Sequence, residues 1–181
     1  MKTAAQRTEQ PKPDEKHSTR DFAELLRANQ SMVFSIAFHS LRDRAVAEEL
    51  AQEVFLELYR RLNELESEAH VTYWLRKVTT NRCIDYIRKR KLRMAVSLDS
   101  APEPSSTDDH EDVLMSRKLR ALISGLPEKA RMIIILRYQE ELMPEEIAKV
   151  MDMPLGTVKS HLHRSLALLR DKIDRSMGEV R

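Results

Sequence analysis

The chain has 181 residues, 41% hydrophobic and 33% charged, with a formal net charge of only +2. That length holds one medium domain or two small ones, and the balance describes a packed chain whose charge says little until its placement is known. No apolar run approaches the roughly 20 residues that cross a bilayer, and Met1 to Arg20 is polar, unlike a secretory signal, so a cytoplasmic protein with no membrane insertion is expected.

Glycine is confined to Gly125, Gly156 and Gly178, and no useful apolar-polar alternation occurs, so the expected fold is all-α. Residues 1–18, rich in Lys, Glu, Gln and Pro, read as a disordered arm. Thr19 is placed to cap a helix whose inner face runs through Phe22, Leu25, Leu26, Val33 and Ile36. Asp43 caps the next, in which Val46, Leu50, Val54, Leu58 and Leu62 recur at helical spacing. A third helix runs from near Val71 to about Arg93, and residues 19–95 make one small bundle. Within this helix Cys83 reads as a small buried apolar residue, since a single cysteine has no disulfide partner and no zinc-type spacing.

Residues 96–112 change character. From Ser97 to Asp112 the chain carries Pro102, Pro104 and six acids, with no Lys or Arg, and cannot bury enough surface to fold. It reads as a flexible acidic linker between two separately folded modules. After it, Val113 to Ser124 and Glu128 to Tyr138 are apolar-periodic helices, and two shorter patterns complete a second bundle over residues 113–178. Pro144 opens the first of these, with Ile147, Ala148 and Met151 inward, and Asp152-Met153-Pro154 breaks it. The second places Val158, Leu162, Leu166 and Leu169 on one side and Thr157, Ser160, His161 and Arg164 on the other, flanked by Lys159 and His163.

This last pair reads as a helix-turn-helix. An ordinary helical hairpin has the same spacing, but gains nothing from a Gly-Thr start followed by Lys, Ser, two His and Arg outward. A groove-reading helix uses small residues first and donors next. The third helix carries a second signal. Arg82, Arg88, Lys89, Arg90, Lys91 and Arg93 face only Asp85 as an opposing charge, near Tyr73, Trp74 and Tyr86. Clustered cations neutralise phosphates and aromatic faces support unstacked bases, although a solvated basic helix end has the same composition. Val71, Trp74, Leu75 and Val78 lie on one side of this helix, with Cys83, Ile84 and Ile87 on nearly the other. It must therefore bury different faces at its two ends.

Three strings in register, RAVAEELAQEVFLELYRR from Arg44, TYWLRKVTTNRCIDYIRKRKLR from Thr72 and LPEKARMIIILRYQEELMPEEIAKVMDMPLGTVKSHLHR from Leu126, resemble an extracytoplasmic-function sigma factor. The resemblance implies that the first bundle is region two and the second region four, and that the chain lends promoter recognition to bacterial RNA polymerase core. By position, Glu49, Gln52, Glu53 and Phe55 resemble the segment that docks on the polymerase clamp coiled coil, while region four implies contact with the flap. Asn81, Arg82, Asp85, Arg88 and Lys89 resemble the part that meets the minus-ten element, and Glu64 to His70 the loop that captures a flipped base. Thr157, Lys159, Ser160, His161 and Arg164 match the helix that enters the major groove of the minus-thirty-five element. The linker resembles the segment threaded through the polymerase RNA path, and an anti-sigma factor is an implied partner.

The match has departures. His161 stands where the family usually has Arg, Glu49 replaces the more usual Asp, and Met143 sits where a capping Ser or Thr is common, which predicts a less firm helix start. No Gly-rich phosphate loop or nucleophile motif appears, and the histidines are scattered except for His161 and His163, which splay apart on a helix. The expectation is therefore binding without catalysis, with no cofactor or metal. A stand-alone helix-turn-helix regulator is the rival reading.

Overall fold

The fold was obtained as a computed structural model that describes residues 14–96, 119 and 121–178. In chain order, α1 is Asp14–Leu41, α2 Arg44–Arg61, a 3-10 turn Leu62–Glu64, α3 Glu68–Val96, α4 Glu128–Tyr138, α5 Pro144–Val150 and α6 Leu155–Gly178. No strand occurs among the described residues. The linker expected at 96–112 lies outside them beyond Val96, as does most of the helix expected from Val113, of which residues 119 and 121–124 are helical.

The helix starts follow local chemistry. Asp43 caps α2 as its position predicts, its Oδ1 accepting from the Val46 amide at 3.1 Å. Ser67 does the same for α3, accepting from the His70 amide at 3.2 Å. α1 begins at Asp14, so Thr19 lies inside the helix rather than at its cap. The weak start predicted for α5 is offset by Glu146, whose carboxylate accepts from the Met143 amide at 2.7 Å, and by Pro144 in the first turn.

α1, α2 and α3 pack on one another, burying Val33, Ile36, Val54, Leu58 and Leu75 completely. A polar tie joins two of them: Thr72 Oγ1 donates to Asn29 Oδ1 at 3.1 Å, and Asn29 Nδ2 donates to the Leu25 carbonyl at 2.9 Å.

The second bundle does not stand apart, contrary to the reading of two separate modules. α4 packs against α1 and α3 as well as α5 and α6, and α5 touches α3. One continuous apolar cluster includes Ile36, Leu75, Ile84 and Ile87 of the first bundle and Met132, Ile133, Leu136, Ile147 and Val150 of the second. The cause is in α4, where every residue from Ala130 to Leu136 is buried. A helix that is apolar all round must be covered all round. Leu126, Ala130 and Ile134 are covered with Leu169 of α6 in a smaller second cluster, and the remaining side is covered by the first bundle.

Arg131 sits within this join at 8% exposure. Its Nη1 donates to the Ser40 carbonyl at 3.2 Å and its Nη2 to the Ser124 carbonyl, with the Leu126 carbonyl 3.5 Å away. Burial lowers its pKa, opposed by nearby Glu128, yet a guanidinium keeps its charge in such a site.

Candidate nucleic-acid interface

α5, its turn and α6 form the expected helix-turn-helix. The Met151 amide donates to the Ile147 carbonyl at 2.9 Å, and Asp152 closes the turn in the left-handed region with φ 47°, a conformation that Asp tolerates better than most residues. α6 then starts at Leu155, with the Thr157 and Val158 amides donating to the Pro154 carbonyl at 2.9 and 3.1 Å.

On α6, Lys159, Ser160, His163 and Arg164 are exposed, whereas Thr157 and His161 are half-buried at the edges of the outward side. Lys159 Nζ lies 3.7 Å from Glu145 of α5. A Cβ placed on Gly156 would meet no heavy atom within 4 Å, so the start of the helix is open to close approach. The inner row differs from the sequence reading at one position. Val158, Ser165 and Leu169 are buried, while Leu166 is 40% exposed. Two helical turns from Val158 end nearer residue 165 than 166, so the small hydroxyl residue takes the inward place.

On α3, Asn81, Asp85, Arg88 and Lys89 are exposed and Arg82 is half-buried. Asp85 Oδ1 is 4.0 Å from Arg88 Nη1. Arg82 is engaged elsewhere: its two terminal nitrogens contact Glu53 and Glu57 of α2, the second at 2.7 Å. It therefore belongs as much to the α2–α3 seam as to the outward side. Nothing in the periodicity separates Arg82 from its neighbours, because its carboxylate partners lie a whole helix earlier. Trp74 is half-buried, as support for the bundle rather than an open platform.

On α2, Glu49, Gln52 and Glu53 are exposed, but Phe55 is buried at 8% exposure. Its ring lines an apolar groove of about 680 Å³ between α1 and α2, with Phe22, Leu26, Phe34, Gln52 and Leu56. Leu56, 57% exposed, was missed by a periodicity reading that looks for inward residues. The stretch from Glu64 to His70 is only briefly irregular, since the 3-10 turn ends at Glu64 and α3 begins at Glu68.

No group of three or more His, Cys, Asp or Glu side chains that could hold a metal occurs among the described residues. None of their helices is long and apolar enough to cross a membrane.

Two joined helical bundles, the second ending in a helix-turn-helix, define a class of transcription factor. Residues 25–93 match the family described as Sigma-70 region 2, and residues 116–169 match Sigma-70, region 4. The RNA polymerase sigma-E factor of Streptomyces coelicolor is 31% identical over 155 residues, covering 84% of this chain and 86% of that protein. The probable RNA polymerase sigma factor RfaY of Xanthomonas campestris is 29% identical over 160 residues, and the match spans 84% of this chain but only 40% of that longer protein. Among solved structures, the sigma factor RpoE of Bartonella quintana, determined in complex with the anti-sigma factor NepR, shares the fold with a TM-score of 0.68 at 19% identity, over 86% of this chain and 98% of that one. The chain therefore belongs to the extracytoplasmic-function sigma factors, alternative sigma factors that direct transcription initiation by bacterial RNA polymerase.

Proposed function

We propose that this chain holds two promoter elements at once while mounted on RNA polymerase core in the cytoplasm, and that it works by binding alone. In this reading α6 enters the major groove of the minus-thirty-five element with Thr157, Lys159, Ser160, His161 and Arg164. α3 meets the opened minus-ten element with Asn81, Arg82, Asp85, Arg88 and Lys89. Glu49, Gln52, Glu53 and Phe55 on α2 dock on the polymerase clamp coiled coil, and the second bundle meets the flap. An anti-sigma factor is the expected regulator, residues 19–95 and 113–178 are the two working units, and residues 96–112 pass between them through the RNA path.

The observation that most supports this reading is the outward side of α6. Lys159, Ser160, His163 and Arg164 are exposed directly after a helix-turn-helix turn, which is where groove-reading side chains stand. Charge-bearing donors there bind phosphate and base edges, and melting follows from capturing unstacked bases on the other helix. No bond in the DNA is made or broken by the chain.

Purified chain plus core enzyme should give run-off transcripts from a promoter selected out of a genomic library. Arg164→Ala is expected to lower transcript yield by roughly 5- to 150-fold at limiting protein, the loss of about 1–3 kcal/mol of groove contact. A chain that binds the same fragment without core and starts no transcript would instead be a stand-alone regulator.

A further inference from the structure

The side of α3 that faces the second bundle is lined by groups suited to DNA. Tyr73 donates its hydroxyl to the Lys149 carbonyl at 3.1 Å, at the end of α5. Lys77 Nζ lies 2.8 Å from Asp152 Oδ2, in the turn of the helix-turn-helix. Lys91 Nζ lies 2.7 Å from Glu128 Oε1, in the first turn of α4. Each partner belongs to the second bundle, and between these points Ile84 and Ile87 are buried in the shared cluster.

At about 100° of rotation per residue, Asn81 and Arg88 fall within roughly 40° of Lys77 around the helix axis, and Lys91 falls the same distance on the other side. The two lysines thus border the same stripe as the exposed Asn81 and Arg88. The second bundle takes this edge of α3, α2 takes Arg82, and Asn81, Arg88 and Lys89 stay exposed.

Resting on the reading of α3 as a DNA-contacting helix, we infer that Lys77 and Lys91 are further phosphate ligands, which Asp152 and Glu128 occupy in the unbound chain in place of phosphate. The carboxylates carry the charge that a DNA backbone would bring. A phosphate arriving at either ammonium meets an anion already there, and like charges repel. Strand binding and the contact between the bundles therefore compete for the same two cations. The competition is reversible because both pairs are partly exposed, with side-chain exposures of 32% and 70% for Lys77 and Asp152 and 57% and 23% for Lys91 and Glu128. Such pairs are weak and are screened by salt.

The test is fluorescence anisotropy of the full chain on a labelled, mixed-sequence single-stranded oligonucleotide across a salt series. Glu128→Gln with Asp152→Asn is expected to tighten binding and to steepen the log–log salt dependence by about 0.7 for each of the two phosphates newly neutralised. Adding Lys77→Gln and Lys91→Gln to that background should return both the affinity and the slope to those of the parent or below. Unchanged binding after neutralisation, with the melting temperature retained, would overturn the inference. So would a gain that survives loss of both lysines, since the four substitutions together restore the parental net charge and the gain would then owe nothing to these two cations. If Glu128→Gln loosens the first turn of α4, Asp152→Asn by itself carries half of the expected steepening. Arg88→Ala separates the two levels: parental binding by this variant removes the reading of α3 itself, whereas its loss beside an unresponsive Glu128 and Asp152 pair leaves that reading and removes the masking.

Discussion

The first bundle is made of three long helices, each with a polar side left for solvent or partners. The second is built around α4, eleven residues long, in which seven consecutive positions are buried. The difference teaches how a short helix becomes stable. α1, α2 and α3 can each bury one stripe and stop, but α4 has apolar residues on every side and is satisfied only between two bodies. Ile134 lies in the cluster with Leu169 of α6, and its neighbour Ile133 lies in the cluster with the first bundle.

Adjacent isoleucines therefore probe different joins. Ile133→Ala should cost about 2–4 kcal/mol in urea denaturation, and the loss should fall on the contact between bundles. The unfolding of the second bundle, followed by helical circular dichroism, would then precede the fluorescence change of Trp74, the single tryptophan. Ile134→Ala should cost a similar amount, with its first effect on the packing of α4 against α6. Coincident transitions in both variants would mean that the two joins are one cooperative unit.

A smaller effect distinguishes two carboxylates at the same join. Burial raises the pKa of Glu140, opposed by a hydrogen bond with Ser35 and the charge of Arg76. Glu24 and Glu68 line the same cavity. The folded state therefore binds this proton more tightly, so the contribution is present below the usual glutamate range and lost as pH rises through the raised value. Glu128 has the opposite sign. The Lys91 hydrogen bond lowers its pKa, so its contribution is present above the usual range and lost as pH falls through the lowered value. Melting temperatures from about pH 2.5 to about pH 7 should show Glu140→Gln flattening a gain on acidification in the upper part of the range, above the usual glutamate value, and the Glu128 effect in the lower part. Glu128→Gln should flatten a loss, and at neutral pH should cost under about 1 kcal/mol. Identical pH profiles for both variants would contradict this assignment.

The least effect is expected at Cys83. Burial pushes its thiol up to about 12, against a hydrogen bond with Ser40 that lowers it. Alkylation of the native chain at pH 8 should therefore be negligible, and should become rapid only when the first bundle unfolds. Fast labelling of the folded chain would show that α3 parts from α1 far more often than the packing of Cys83 implies.

Much of this architecture is legible in the residues because each helix carries its own punctuation. Asp43 announces α2, Asp152-Met153-Pro154 separates α5 from α6, and Glu128 to Tyr138 is bounded by Pro127 and a break in apolar period. The outward donors of α6 are legible for the same reason, since period alone separates Ser160 and Arg164 from Val158. Pairings over long sequence distances are not. Arg82 with Glu57, Lys77 with Asp152 and Lys91 with Glu128 are 25, 75 and 37 residues apart, and no local pattern links them. The two apolar sides of α3 were a visible clue that something covers Ile84 and Ile87. The residue pattern could not say that they share one apolar cluster with residues of α4 and α5.

Arg131 has a consequence for geometry rather than for strength. Apolar surfaces alone permit neighbouring bodies to slide or rotate by small steps, because any close fit satisfies them about equally. A planar guanidinium aimed at the Ser40 and Ser124 carbonyls accepts one angular setting, much as a keyway fixes a shaft. While that fitting is seated, α3 and α6 hold one fixed bearing to each other, and any other bearing requires the guanidinium to leave its carbonyls first.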